Sequence, residues 1–426
     1  MAIAATTIWE VRQTGSNTNG GGYNSAAGTT DYSQQDYPQL VFLDGKCTGT
    51  TALSSETGGF TAEMVGNVVY LANDSLRYQI ATYTNPNQVT IDRNGPSLSA
   101  LSGYVGGAVA GMGAVGEGIP FTGNVIFIKY SASPYVITTA STNVAGGTFA
   151  RTGSYHITGY DTTRVVGNLD SNRSTLKINA GVSSAMLFSL GTYGTISNLI
   201  LDGNNQTSST ATKNTVIFNC KIINFTGTAC VTCDAFYCEF SNCATIPMNL
   251  GNATFCYAHD NTGAGFTGGH YHGCISSKNT IGFTGSSNTT CSNCVAYGNT
   301  QSGFSHTRSH FLANCIAEGN GTYGYMSTIA STKNQSVNCV GYNNLSGDNL
   351  YTYTANFSSL PASPFVDAAA GDFTLNDIVG KGLLLKNAGF PSLLTTGTPT
   401  YIDINAAHRE SSGSTGVTGE SWTYLT

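Results

Sequence analysis

Small apolar positions recur at near-constant intervals through the middle of this chain, separated by polar turn formers. A cysteine is followed five residues later by an asparagine at Cys256/Asn261, Cys274/Asn279, Cys294/Asn299, Cys315/Asn320 and Cys339/Asn344. Cys220/Asn224 and Cys238/Asn242 read as two earlier copies, one residue tighter. Successive cysteines from Cys220 lie 18, 18, 18, 20, 21 and 24 residues apart. A second apolar column runs between them, at Gly265-Phe266, Gly282-Phe283, Gly303-Phe304 and Gly324-Tyr325. Self-similarity at about 20 residues is the mark of a solenoid.

The intervals hold Gly, Asn, Ser, Thr and aromatics rather than helix formers on a helical period, which predicts short strands and turns. A coil of about 20 residues holds about three short strands, and like positions on successive coils stack ~4.8 Å apart. Cys220, Cys238, Cys256, Cys274, Cys294, Cys315 and Cys339 are therefore predicted to form one internal ladder. Phe266, Phe283, Phe304 and Tyr325 are predicted to form another. The asparagines fall in the turn after each cysteine strand, where Asn tolerates left-handed backbone and bonds its counterparts above and below.

Upstream, Ile8–Arg12 alternates like a strand, and so do the segments 67–71, 78–82 and 88–92, so residues 1–115 are expected to be a small antiparallel β region. Residues 97–118 are rich in Gly and Ala with few large side chains, and read as a connector. Residues 116–345 are expected to be the solenoid, beginning with the strand 124–129 and continuing through 135–138, 155–158, 176–178, 187–189 and 196–201. At ~20 residues per coil this gives about 11 coils, with both ends in need of a cap. Residues 346–426 lose the period and read as a closing segment and tail.

This pattern resembles the right-handed parallel β-helix, pectate-lyase-like family over roughly 124–345. The implied fold class is all-β: a single-stranded parallel β-helix with an N-terminal β region and a C-terminal cap. The segments Pro364–Asn376, Gly389-Phe390-Pro391 and Tyr401–Ala407 resemble the stretches that close such proteins. One solenoid hosts many functions, so the resemblance speaks to architecture first.

Charged residues make up only 9% of the chain and the net charge is -6, which argues against a nucleic-acid partner, since that needs clustered Lys and Arg. The start, MAIAATTIWEVRQTG, has no basic and apolar leader, and no long apolar run predicts membrane insertion. Most of the 12 cysteines sit on the ladder, at a strand spacing wider than a disulfide wants, so they are expected to be buried free thiols. The C-x-x-C pairs Cys230/Cys233 and Cys291/Cys294 lack a matching second pair, and neither a metal nor a cofactor is expected.

If each ladder cysteine points inward, the next residue points outward. That column reads Lys221, Glu239, Tyr257, Ile275, Val295, Ile316, Val340. Ile275, Val295, Ile316 and Val340 form an apolar stripe, expected to meet other subunits in a homotrimer; cover by the C-terminal segment is the alternative. For chemistry, Asp260, His270 and His272 are the candidate catalytic set, with polar surface as the plain alternative, and His306–His310 is a second histidine-rich stretch. Tyr257, Tyr271, Tyr297 and Tyr342 are candidate sugar-contacting residues on an outer groove.

The opening WEVRQTGSNTNGGGY, the β-helix and the closing DFTLN…GFP…YIDINAA together resemble β-helix proteins carried by phages as virion parts. That resemblance implies a tailspike- or fibre-like structural protein, assembled in the host cytoplasm and acting outside the cell. Its N-terminal region would join other virion proteins and its rod would meet host surface polysaccharide. A polysaccharide lyase or hydrolase and a capsid decoration protein are the alternatives.

Overall fold

The computed structural model describes residues 3–4, 6–111, 125–137, 155–165, 172–182, 186–189, 194–285, 289–307, 310–327, 335–349 and 358–387. The chain forms two compact units, Met1–Leu201 and Asp202–Thr426. Among the described residues no helix is long and apolar enough to cross a membrane.

In the first unit, six antiparallel strands close into a barrel in the order Leu40–Thr48, Ala52–Ser54, Gln88–Ile91, Leu76–Asn85, Val68–Leu71, Ser97–Val105. Their inward positions, Phe42, Leu53, Val69, Leu71, Ile80, Val89, Ile91, Leu101 and Val105, make its core. The expected connector is thus corrected: Ser97–Val105 is a full strand paired with two others. It lacks bulk because Phe42 supplies it. A Cβ on Gly103 would sit 2.0 Å from the Phe42 ring, so the glycine is the socket for that ring.

Ile8–Val11 does not join the barrel. It pairs in parallel with Val125–Lys129, Trp9 opposite Ile126, and that strand pairs with Tyr155–Tyr160. The carboxylate of Glu10 is buried here and is held by Arg12 Nε at 2.8 Å, by Arg164 and by the Tyr160 hydroxyl. Burial raises its pKa, and those three partners oppose the rise.

The second unit is a parallel β-solenoid. Seven three-residue strands stack in register: Lys221–Ile223, Glu239–Ser241, Tyr257–His259, Ile275–Ser277, Val295–Tyr297, Ile316–Glu318 and Val340–Tyr342. They account for seven of the about 11 coils expected over 124–345. We call their outer surface the ladder face. A longer strand, Ala264–His272, bends at Gly268 (φ 59°) and Gly269 (φ 125°) and so serves two further faces. Its first limb pairs with Ile281–Gly285 and its second with Thr289–Ser292. We call these the stack face and the open face.

Each ladder strand is set between two left-handed corners. The residue before the cysteine has φ of 51–60° at Asn219, Tyr237, Phe255, Gly273, Asn293, Asn314 and Asn338. The residue four after it has φ of 51–63° at Asn224, Asn242, Asp260, Lys278, Gly298, Gly319 and Asn343. This corrects the reading of Asn224 and Asn242 as tighter copies of the Cys-to-Asn spacing. They are the corner residue itself, and the next position inward is Phe225 and Cys243, both buried. Asn261 begins the true ladder.

The interior follows the repeat. All seven ladder cysteines are at most 1% exposed, and every cysteine in the chain is a free thiol. Phe266, Phe283, Phe304 and Tyr325 stack with centroids 5.1, 4.9 and 5.0 Å apart and planes within 12°. The buried asparagines pass hydrogen bonds from coil to coil: Asn299 donates from its backbone N and its Nδ2 to Asn320 Oδ1 at 3.1 and 2.9 Å. Its Oδ1 accepts from Asn279 N at 3.0 Å.

Two substitutions test this interior. Phe283→Ala opens a gap in the middle of the stack and is expected to cost roughly 3–5 kcal/mol in denaturant unfolding. Asn299→Ala strands the Asn279 N–H and removes the Nδ2 bonds to the Ser276 carbonyl and Asn320 Oδ1, and is expected to cost roughly 2 kcal/mol or more although it removes little volume.

Candidate functional site

The ladder face is covered. Tyr257, Ile275, Val295, Ile316 and Val340 do point away from the coil, as their parity requires, yet each is at most 5% exposed. Leu360, Phe365, Ala368, Phe373, Leu375 and Leu385 pack over them. Ser358–Ser359 first pairs with Val340-Gly341. The chain then turns back along the face as a hairpin of Phe365–Asp367 and Asp372–Leu375. The stripe expected at a subunit interface is therefore sealed by the same chain, and it carries no argument for a trimer. A pattern of outward apolar residues cannot by itself say whose surface covers it.

The candidate tyrosines are corrected for related reasons. Tyr257 lies under Phe373, with rings 6.4 Å apart. Tyr297 and Tyr342 are half-buried against the same cluster. Tyr271 points into the core beside Phe266, its hydroxyl donating to the Gly268 carbonyl at 2.5 Å.

Beyond the covered stripe the ladder face turns polar. Glu239, with a fully buried side chain, accepts from Lys221 Nζ at 2.7 Å and lies 3.1 Å from His259 Nε2. His259 Nδ1 is 2.6 Å from Asp260 Oδ2. Glu239 Oε2 is buried without a hydrogen-bond partner among the described residues. Asp260 thus belongs to a Lys–Glu–His–Asp chain on the ladder face. It does not share a site with His270 and His272, which stand on the open face with other partners. His259, which sequence reasoning passed over, is the residue that joins the two carboxylates. Among the described residues no group of three or more His, Cys, Asp or Glu is arranged to hold a metal ion.

The open face has no such cover among the described residues. Its columns are Asp234, Asn252, His270 and Thr290, and beside them Phe236, Thr254, His272 and Ser292. Neighbours on successive coils brace one another: Asn252 Nδ2 to Asp234 Oδ1 at 2.8 Å, His270 Nδ1 with Thr290 Oγ1 at 2.7 Å, His272 Nδ1 with Ser292 Oγ at 2.8 Å. Burial holds the His272 pKa below its usual value, so that ring is neutral at neutral pH.

At the edge of this face runs a line of half-buried rings. Phe218 meets Tyr237 edge-on at 5.7 Å, Tyr237 stacks on Phe255 at 5.5 Å, and Phe255 meets His272 edge-on at 5.4 Å. Tyr237 and Phe255 occupy the left-handed corner that four other coils give to Asn, at Asn219, Asn293, Asn314 and Asn338. A bulky side chain there is a rare choice and costs on the order of 1 kcal/mol or more. Gly273, the next corner, is kept bare for the ring: a Cβ on it would lie 2.5 Å from Phe255. The sequence did hold this signal, as an aromatic immediately before Cys238 and Cys256 where later repeats have Gly or Asn.

The other histidine-rich stretch is not a surface site. His306 and His310 are buried and stacked, with centroids 4.5 Å apart, while Arg308 and Ser309 lie outside the described residues. Burial and the neighbouring His310 hold the His306 pKa well below the usual range.

The site and fold define a parallel β-helix protein with one face sealed by its own chain and another without such cover among the described residues. No protein-family model matches the chain, and no curated protein matches it. Among solved structures, the mannuronan C-5 epimerase AlgE4 A-module of Azotobacter vinelandii aligns over 55% of this chain and 82% of its own, at 13% identity and TM-score 0.35. The catalytic domain of a GH87 α-1,3-glucanase aligns over 75% of this chain and 89% of its own, at 9% identity and TM-score 0.26. ORF18 of Geobacillus virus E2 aligns over 55% of this chain and 54% of its own, at 12% identity and TM-score 0.28. At such scores the strand registers above, not these alignments, carry the fold.

The sealed face makes a pH prediction. Burial pushes the Glu318 pKa up from 4.5 to about 7, against the opposing hydrogen bond from Ser363 Oγ. Because the folded value is raised, the stability contributed by protonated Glu318 is full below 4.5 and is lost as pH rises through about 7. The loss is on the order of 3 kcal/mol. Glu318→Gln is expected to flatten the fall in melting temperature between pH 5 and 8 relative to the parent. The comparison cancels His306, whose opposite-signed effect appears in acid. Parallel profiles for the two proteins would refute it.

Proposed function

We propose that this chain is a glycan-contacting structural β-helix of the phage tailspike or fibre type, and that the open face is its contact surface. The observation that carries the reading is the pair Tyr237 and Phe255. They are held at strained left-handed corners where Asn serves the fold elsewhere, and they border a face of braced, mostly neutral hydrogen-bonding groups. Strain kept at a corner that four other coils fill with Asn points to use of the side chain. Aromatic surface flanked by a few oriented polar groups is the usual make-up of a ligand site. The virion setting rests on the resemblance of the opening and closing segments, with the N-terminal region as the attachment part. A homotrimer, in this reading, would form through surfaces other than the Ile275–Val340 stripe.

The test separates fold from use. Phe255→Asn and Tyr237→Asn place the residue that other coils use at the same corner. Both variants are expected to melt at or above the parent temperature, yet to lose roughly ten-fold or more in affinity for host-cell surface glycan, the ~1.4 kcal/mol that one ring contributes. Parent-like glycan binding by both variants would refute the site. Labelling of particles with antibody to the chain is expected to mark the tail, and light scattering is expected to give a trimer in the parent and in Ile316→Ser alike.

A second reading, cleavage of the polysaccharide, has one observation of its own: the Lys221–Glu239–His259–Asp260 chain, with a buried carboxylate oxygen unpaired among the described residues. Turnover of host glycan that vanishes in Glu239→Gln and Asp260→Asn would establish it.

A further inference from the structure

We infer that the open face takes an uncharged polysaccharide, laid parallel to the solenoid axis, and discriminates against acidic polymers. This rests on the reading of that face as a glycan surface and goes beyond it to the ligand's class and direction.

The charge pattern sets the class. The open-face segments Val216–Phe218, Asp234–Phe236, Asn252–Thr254, His270–His272, Thr289–Ser292, His310–Ala313 and Gln335–Val337 contain no lysine or arginine. Their single acid is Asp234. A polyuronate or a sulfated or phosphorylated glycan carries a charge on each repeat and needs Arg or Lys to meet it. Here it would meet a carboxylate in a chain of net charge -6. A neutral sugar needs apolar surface for its C–H faces and fixed donors and acceptors for its hydroxyls. The face supplies both. His270 and His272 each use Nδ1 to brace a neighbour, which fixes the ring and leaves Nε2 without a partner among the described residues. His272 is kept neutral by burial, so its Nε2 meets a hydroxyl without a charge.

The direction follows from the register. Phe218, Tyr237, Phe255 and His272 come from four successive coils, and each ring touches the next. The line therefore runs across the strands for three coil steps, roughly 15 Å at ~4.8 Å per step. A ligand following it lies along the axis, and its affinity grows with length until it spans the four rings.

The experiment is calorimetric titration of the full chain with neutral hexose oligosaccharides of increasing length and with oligouronates of matching length, at low and high salt. The expected result is binding of neutral oligosaccharides that strengthens with length, changes less than two-fold with salt, and falls ten-fold or more in Phe255→Asn. Circular dichroism confirms the fold of that variant. His270→Ala, which leaves the rings in place, serves as an independent second variant and is expected to weaken binding several-fold. Salt-sensitive binding of oligouronates alone, lost in Phe255→Asn, would overturn the uncharged class while leaving the glycan surface standing. Binding of neither class, or binding untouched by both variants, would overturn the inference and the glycan reading together.

Discussion

Everything in the second unit depends on one constraint: successive coils must re-enter the ladder strand in the same phase. Two left-handed corners enforce it, one before the cysteine and one four residues after. Between them three residues pair with the coil on either side, so inward and outward parity never slips. A one-residue slip would carry every cysteine to the outside. The growing interval of the repeat is absorbed elsewhere. From the stacked ring to the next cysteine the chain runs 8, 11, 11 and 14 residues, counted at Phe266, Phe283, Phe304 and Tyr325. That lengthening falls before the open-face strands: the paired His270, Thr290, Phe311 and Gln335 follow their coil's stacked ring by 4, 7, 7 and 10 residues.

Fixed parity makes each column uniform, and uniform columns divide labour among the faces. Inside, small thiols, rings and amides each pile on their own kind, so van der Waals contact and hydrogen bonds repeat at one spacing. Outside, the ladder face became apolar over five coils and was closed by the chain's own hairpin, with Glu318 beneath it. The open face kept hydroxyls, amides and imidazoles that brace one another across coils, and added rings at its corner. Rigidity and recognition come from the same register: a side chain repeated on the next coil is both a packing partner and the next contact for an extended ligand.

The strained aromatics show how fold and use separate within one position. Asn219, Asn293, Asn314 and Asn338 occupy the corner at little cost, because a short polar side chain tolerates left-handed backbone. Tyr237 and Phe255 occupy it against that preference. The first unit shows the converse, a residue chosen for what it leaves empty. Gly103 looks like linker composition, yet it is the place into which Phe42 packs.

Much of this was legible in the residues alone. The cysteine, ring and asparagine columns fix a parallel solenoid because a local spacing, repeated, must stack, and burial of the thiols follows from parity. The outward stripe at Ile275, Val295, Ile316 and Val340 was legible too, and so were the outward His270 and His272. What covers the stripe was not, since Phe365, Phe373 and Leu385 reach it from outside the repeat and no periodicity links them to it. Nor was the joining of Glu239 to Asp260 through His259, or their separation from His270 and His272. Those relations run between coils and between faces, across distances in the chain that local spacing does not encode, and the folded backbone alone decides them.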